Sequence, residues 1–208
     1  MARFTHAQKE SRRQQILDAA LRCFSRDGFH NTTTTDIVRE SGVSQGTLYL
    51  YFATKDDVIV ALADDRHQGE ALLNALVQGE PDPVEGLSLL FELHGRSLTD
   101  PHRLDGRRVG IQGWAEALRN PTIRESVTAT TAAVRREIVR LIERGQRGGQ
   151  FRPEVDPEAV ARILIATFQG LTLQVAWGET LDLDAIGRLM REMVRGALFT
   201  EAALAAHP

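Results

Sequence analysis

Residues 33–55 read TTTDIVRESGVSQGTLYLYFATK. Two short helices and the corner between them are legible in this stretch. Thr33 is followed three positions later by Asp36, the spacing of a capping box with Asp where Glu or Gln is usual. Ile37, Val38 and Ser41 then share the inner face of a first helix, predicted over 34–41. Gly42 stands where a tight turn needs a left-handed residue, and Val43 plugs the corner. Ser44 caps a second helix, predicted over 45–51, whose Leu48 points back at the first. Two short helices joined by a glycine-containing turn of about 3–4 residues form the helix-turn-helix arrangement. Taken alone, such a corner is better read as a structural hairpin.

In helix-turn-helix geometry the second helix enters the major groove and its first residues meet base edges. Gln45 offers a donor and an acceptor to adenine, and Thr47 reaches a base or a thymine methyl. Gly46 removes a side chain where the backbone must approach DNA. The Tyr49 and Tyr51 hydroxyls suit phosphate oxygens, although either ring also suits packing against the first helix. Lys55 follows the cap Thr54 and adds charge at a helix N-terminus that already favours an anion.

The longer stretch resembles the DNA-binding domain of the TetR family of transcriptional regulators. The resemblance runs from Ile16-Leu17-Asp18-Ala19-Ala20 through Phe24, Gly28-Phe29, Thr32-Thr33 and Ile37. It continues through Gly42-Val43-Ser44, Gly46-Thr47-Leu48-Tyr49 and Tyr51-Phe52 to Lys55, without a gap. It implies phosphate contacts from Thr33, Ser44, Tyr49 and Lys55, and base reading by Gln45 and Thr47. Three positions depart from the family pattern. Val38 stands where Ala is usual, Gln45 where Lys is frequent, and Leu50 where a polar or aromatic residue often grips the backbone.

The charge agrees with a reading head, but only when it is divided. The 208 residues carry 25 Lys+Arg and 28 Asp+Glu, a net of -3 that by itself argues against nucleic acid. Residues 1–55 hold 8 Lys+Arg against 5 Asp+Glu, and residues 56–208 hold 17 against 23. A basic head therefore precedes an acidic body, and placement of cations, not their total, governs DNA affinity. An N-terminal arm with Arg3, Lys9, Arg12 and Arg13 offers further phosphate or minor-groove contacts, or a merely solvated first turn. The single Cys23 forbids an intrachain disulfide and builds no zinc cluster. No apolar leader or 18-residue charge-free run is present, so neither a signal peptide nor a membrane span is expected, and the expected location is cytoplasmic.

Beyond the head, Asp or Asn precedes Pro at Asp82-Pro83, Asp100-Pro101, Asn120-Pro121 and Asp156-Pro157, a cap followed by the first-turn proline that marks a helix start. Apolar residues between these starts recur at helical spacing, and no segment alternates as a strand would. Helices are predicted near 5–26, 55–78, 83–99, 102–118 with a break near Gly106 or Gly110, 121–146, 157–178 and 183–203. The fold class is all-α: an N-terminal three-helix helix-turn-helix domain, 1–55, and a larger helical domain, 56–208. By the family resemblance the second domain binds an effector and pairs two chains. Residues 162–177 are apolar on nearly every face, as a helix packed on both sides must be. A central helix of a monomer would also satisfy this, but by the resemblance the homodimer contact is expected through the helices near 121–146 and 157–178.

A ligand cavity needs a few polar groups among apolar walls. Phe91, His94, Ile111, Trp114 and Phe168 are the candidate ligand-binding residues, His94 lying in the stripe of Phe91 and Trp114 three residues after Ile111. Arg66, His67, Gln112, Gln169 and Gln174 are weaker candidates, and each also fits a core or surface role. Arg136, Arg140 and Arg144 share a helical face that could bind an acid but is better read as the solvated face of a dimer helix. No nucleophile–base pair or metal-ligand spacing is found, so neither catalysis nor a cofactor is expected. The leading expectation is a ligand-responsive repressor, binding double-stranded palindromic operator DNA as a dimer and released by a small-molecule effector. The alternative is a helical small-molecule-binding protein or enzyme that does not act on DNA.

Overall fold

The structure is a computed structural model that describes residues 5–63, 79–80, 82–100 and 103–206. Ten helices account for most of the described residues. Helix α1 spans His6–Asn31, α2 Thr34–Ser41 and α3 Gln45–Tyr51, followed by α4 over residues 55–63. Then come α5 Pro83–Thr99, α6 Leu104–Glu116, α7 Pro121–Arg147, α8 Pro157–Ala176, α9 Leu183–Leu198 and α10 Glu201–Ala206. The all-α expectation holds: among the described residues the one extended pairing is an isolated bridge between Phe151 and Phe199.

The helix starts follow their caps. Asp82 accepts from Val84 N–H at α5, Asp156 from Glu158 N–H at α8, and Asn120 from the N–H groups of Thr122 and Ile123. Each oxygen satisfies donors that have no partner within the helix. Three expected boundaries change. Helix α1 runs on to Asn31 through Gly28, whose φ of 82° bends the chain where a side chain would be strained. Helix α6 is continuous through Gly106 and Gly110, with no break at either. The segment 183–203 is two helices, because Phe199 turns inward onto the Phe151 ring and Thr200 caps α10 by accepting from Ala203 N–H. The expected helix 55–78 is seen over 55–63, and the rest lies outside the described residues. Pro101, Arg66 and His67 lie outside them too.

The chain packs as two compact units that are not consecutive segments: Met1–His67 with Leu104–Thr130, and Gln68–Arg103 with Thr131–Pro208. In the first unit Ile16, Leu17 and Phe24 of α1 meet Ile37, Leu48, Val58, Val109 and Ile123 in one buried cluster. Val43 is buried at the corner between α2 and α3, as expected. In the second unit Leu87 and Leu90 of α5, Ile138, Leu141 and Ile142 of α7, Leu164 of α8 and Leu198 of α9 form a separate core.

Not every large apolar side chain is inside. Ile163 of α8 (65 % exposed), Trp177 just beyond it (68 %), and Leu189 and Met193 of α9 (63 % and 65 %) are open to solvent. None of the exposed large apolar residues lies on α7, where the dimer face had been expected in part. Among the described residues α8 is also the one helix long and apolar enough to cross a membrane, with 17 % of its most apolar window buried.

Candidate nucleic-acid interface and effector region

The start of α3 is built by local hydrogen bonds. Ser44 Oγ accepts from Thr47 N–H at 3.1 Å, and the two hydroxyls lie 2.8 Å apart. Leu48 is fully buried, which fixes the rotation of this seven-residue helix about its axis. Gln45, Gly46, Tyr49 and Leu50 are thereby exposed, with Thr47 and Tyr51 half-buried beside them. At 3.6 residues per turn, Gly46 and Leu50 fall opposite Leu48. Leu50, 84 % exposed, is the most outward large side chain of α3. Its departure from the family pattern gave no reason to select it; its exposure does.

Tyr49 is held by neighbours. Its hydroxyl lies 3.5 Å from Thr34 Oγ1, and hydrogen bonding with Thr34 first, then Gln45, lowers its pKa from the ordinary phenol value. Thr34 was missed in the sequence because the contact joins residues fifteen apart on different helices. Tyr51 packs against the core, its ring 6.5 Å from that of Phe52.

Thr33 is committed to the cap of α2. It accepts from Asp36 N–H at 3.2 Å and donates to Asp36 Oδ2 at 2.6 Å, while its own N–H donates to the same oxygen at 2.9 Å. These bonds from Thr33, with Arg39 beyond, hold the Asp36 carboxyl below its usual pKa. Gly42 closes α2 with φ 69°, the left-handed conformation anticipated for the turn. Lys55 is placed differently from the simplest expectation. Its ammonium donates to the carbonyls of Phe29 and, at 3.1 Å, Thr32, tying the start of α4 to the end of α1. Those carbonyls lie at the end of α1, where a helix leaves acceptors without intrahelical donors, and the cation satisfies them. An ammonium has three donors, which leaves one for an outside acceptor.

Much of the head's positive charge is used internally. Arg22 and Arg26 clamp Glu40, Arg39 pairs with Asp36, and Arg13 pairs with Glu10. Arg12 donates to Gln15, Lys9 is exposed, and Arg3 lies outside the described residues. The same unit contains α6, fastened to α1 by one amide. Gln112 Nε2 donates to Phe24 O and Gln112 Oε1 accepts from Phe29 N–H, both at 3.0 Å, spanning the bend at Gly28. Both ends of this side chain are occupied, so Gln112 is a structural brace.

The structure brings two of the candidate ligand residues together. His94 of α5 and Phe168 of α8 meet edge to face, centroids 4.6 Å apart and planes at 80°. His94 Nδ1 lies 2.8 Å from Leu90 O, so Nε2 is the nitrogen left to bond elsewhere. Phe91 lines a half-open cleft of about 340 Å³ between α5 and α9. Ile111 and Trp114 are half-buried on α6, which belongs to the first unit. Gln169 and Gln174 are half-buried on α8. Of the arginine stripe on α7, Arg140 pairs with Glu137. Among the described residues no group of His, Cys, Asp or Glu has the arrangement to hold a metal ion.

Comparison with known proteins agrees with the head's geometry. The family profile described as bacterial regulatory proteins, tetR family, matches residues 16–62, and that of the BetI-type transcriptional repressor C-terminal region matches residues 97–198. The HTH-type transcriptional regulator UidR of Escherichia coli K12 is 23 % identical over 188 residues, covering 89 % of this chain and 92 % of its own. Among solved structures, GusR of Salmonella enterica is similar with a TM-score of 0.74 at 25 % identity, over 94 % of this chain and 98 % of its own. The SmeT–triclosan complex is similar with a TM-score of 0.76 at 25 % identity, over 93 % and 94 %.

Proposed function

The chain belongs to the TetR family of ligand-responsive transcriptional regulators, and on that premise we propose that it acts as a repressor: a homodimer seated on a palindromic operator and released by a small molecule. The observation that carries this reading is the outward face of α3. A capped start, a buried Leu48 and a Tyr49 held by Thr34 present Gln45, Gly46 and Thr47 as a pre-formed edge for the major groove. Gln45 and Thr47 read bases, Leu50 lies against a thymine methyl, and Ser44, Tyr49 and Tyr51 meet phosphates. Thr33 and Lys55 hold the α2 and α4 starts in register, and Lys55 keeps one donor for a phosphate. Residues 1–55 form the reading head, and 56–208 hold the effector-binding and dimerisation functions.

Two chains join through α8 and α9. Ile163, Trp177, Leu189 and Met193 supply the apolar surface that a lasting two-fold interface requires, and this favours α9 over α7 as the partner of α8. The effector binds beside His94 and Phe168, where a half-buried imidazole faces an aromatic wall. Ile111 and Trp114 sit on α6 with Gln112, so any displacement of α6 pulls on α1 at its bend. Release then follows from the effector's differential affinity for two head arrangements. No catalytic role is assigned to any residue.

The test is fluorescence anisotropy with DNA from upstream of the chain's own gene. A complex that weakens steeply with added salt is expected. Replacing Gln45→Ala with Tyr49→Phe is expected to lower affinity on the order of 10–100-fold, the loss of about 1–3 kcal/mol for a bidentate base contact and its support. Unchanged affinity in a folded variant refutes the assignment of α3.

A further inference from the structure

The cleft between α5 and α9 has a composition that the regulatory reading does not use. Its apolar wall comes from Val84, Leu87 and Phe91 on one side and Val194 and Phe199 on the other. Arg191 and Arg195, one turn apart on α9, stand over that wall. Neither forms an ion pair with any described residue. The Arg195 guanidinium lies 6.0 Å from the centroid of the Phe199 ring, so the cation is seated on the wall and not swung into solvent. Phe199 is itself fixed. Its ring stacks at 5.2 Å on Phe151, and its carbonyl accepts from Arg152 Nε at 2.8 Å.

Position on α9 separates this cleft from the proposed dimer face. At 3.6 residues per turn, Arg191, Val194, Arg195 and Leu198 share one side of the helix, whereas the exposed Leu189 and Met193 share the opposite side. The remaining lining groups narrow the occupant. Ser88 already donates its hydroxyl to Val84 O. Glu85, in the first turn of α5, offsets one of the two arginines, which leaves a single net positive charge in the lining. The volume of about 340 Å³ falls at the lower end of small-molecule sites, roughly 300–1,000 Å³.

We propose that this cleft is a binding site for an amphipathic monocarboxylate, its head on Arg191 and Arg195 and its tail along Leu87, Phe91 and Val194. The planar guanidinium fork matches a carboxylate in two-point contact, and the apolar wall accepts a chain that an inorganic anion lacks. One net charge selects a monoanion over phosphate. The site is independent of DNA binding and of the His94–Phe168 pair.

Isothermal titration of the full-length protein with decanoate, without DNA, tests it. One saturable site per chain is expected. The R191Q/R195Q variant is expected to weaken decanoate at least tenfold while retaining the wild-type thermal melt. Decanol, with the same tail and no charge, is expected to bind more weakly and to be insensitive to that variant. The R136Q/R140Q variant removes as much charge from α7 and is expected to leave decanoate affinity unchanged. Should R191Q/R195Q melt early, the single R191Q change on exposed surface is expected still to weaken decanoate several-fold. Equal decanoate affinity in wild type and both cleft variants overturns the proposal. So does an equal loss in the α7 control, or inorganic phosphate that displaces decanoate at comparable concentration.

Discussion

The two units spend their surfaces in opposite ways. In the first, polar groups near α2 and α3 are largely tied to one another: Thr33 with Asp36, Ser44 with Thr47, Arg22 with Glu40, Lys55 with two carbonyls. What remains outward on α3 is uncharged: Gln45, Gly46, Tyr49 and Leu50, with Thr47 half-buried beside them. In the second, α8 and α9 leave four large apolar side chains open, and Arg191 and Arg195 stand without carboxylate partners among the described residues. One surface is rigid and polar, made for a partner that is itself polar and hydrated. The other is apolar, made for a partner that excludes water. The first contact should respond to salt through the cations that still face outward, Lys9 and the third donor of Lys55, and the second hardly at all.

That contrast is broken most severely by charging the apolar face. Leu189→Asp with Met193→Asp is expected to convert the protein to monomers in analytical ultracentrifugation. Operator affinity should fall on the order of 100-fold or more, since central apolar contacts contribute about 2–4 kcal/mol each. A dimer that survives both changes would move the interface off α9. A smaller effect is expected inside the first unit. Gln112→Leu leaves Phe24 O and Phe29 N–H without their partners and should destabilise that unit by about 2 kcal/mol, read by denaturant melting, because each stranded buried group costs about 1–3 kcal/mol. The smallest effect concerns the α2 cap. Thr33 holds the Asp36 carboxyl pKa below its unfolded value, so its contribution is complete above the ordinary carboxylate range and fades as pH falls through the lowered folded value. Melting temperature followed from pH 6 down to about pH 3 should drop less steeply in Asp36→Asn than in the wild type.

The same contrast explains what was legible in the chain. Thr33, Asp36, Gly42 and Ser44 act within about four residues of their partners, so spacing alone places α2, the turn and the start of α3. The Asp-Pro starts of α5 and α8 are equally local. By comparison, the Gln112 brace reaches back 88 residues to Phe24, and Lys55 reaches back 23 to Thr32. Nothing in local periodicity distinguishes these side chains from solvated ones. Phe91, His94, Ile111, Trp114 and Phe168 all look alike as apolar, aromatic or imidazole groups in helical stripes. Only the fold pairs His94 with Phe168, assigns Phe91 to the cleft, and puts Ile111 and Trp114 in the other unit. The α9–α10 break had a usable local signal, Thr200 before Glu201, but the apolar run through Phe199 masked it.

The discontinuous make-up of the first unit has a practical meaning for anyone recombining such regulators. A fragment cut after α4 would carry α1 to α3 without Gln112, Val109 or Ile123, and so without the brace at Gly28 and part of the core that buries Phe24. A chimera that exchanges specificity between two proteins of this kind must therefore transfer residues 104–130 together with the head, as two grafts instead of one.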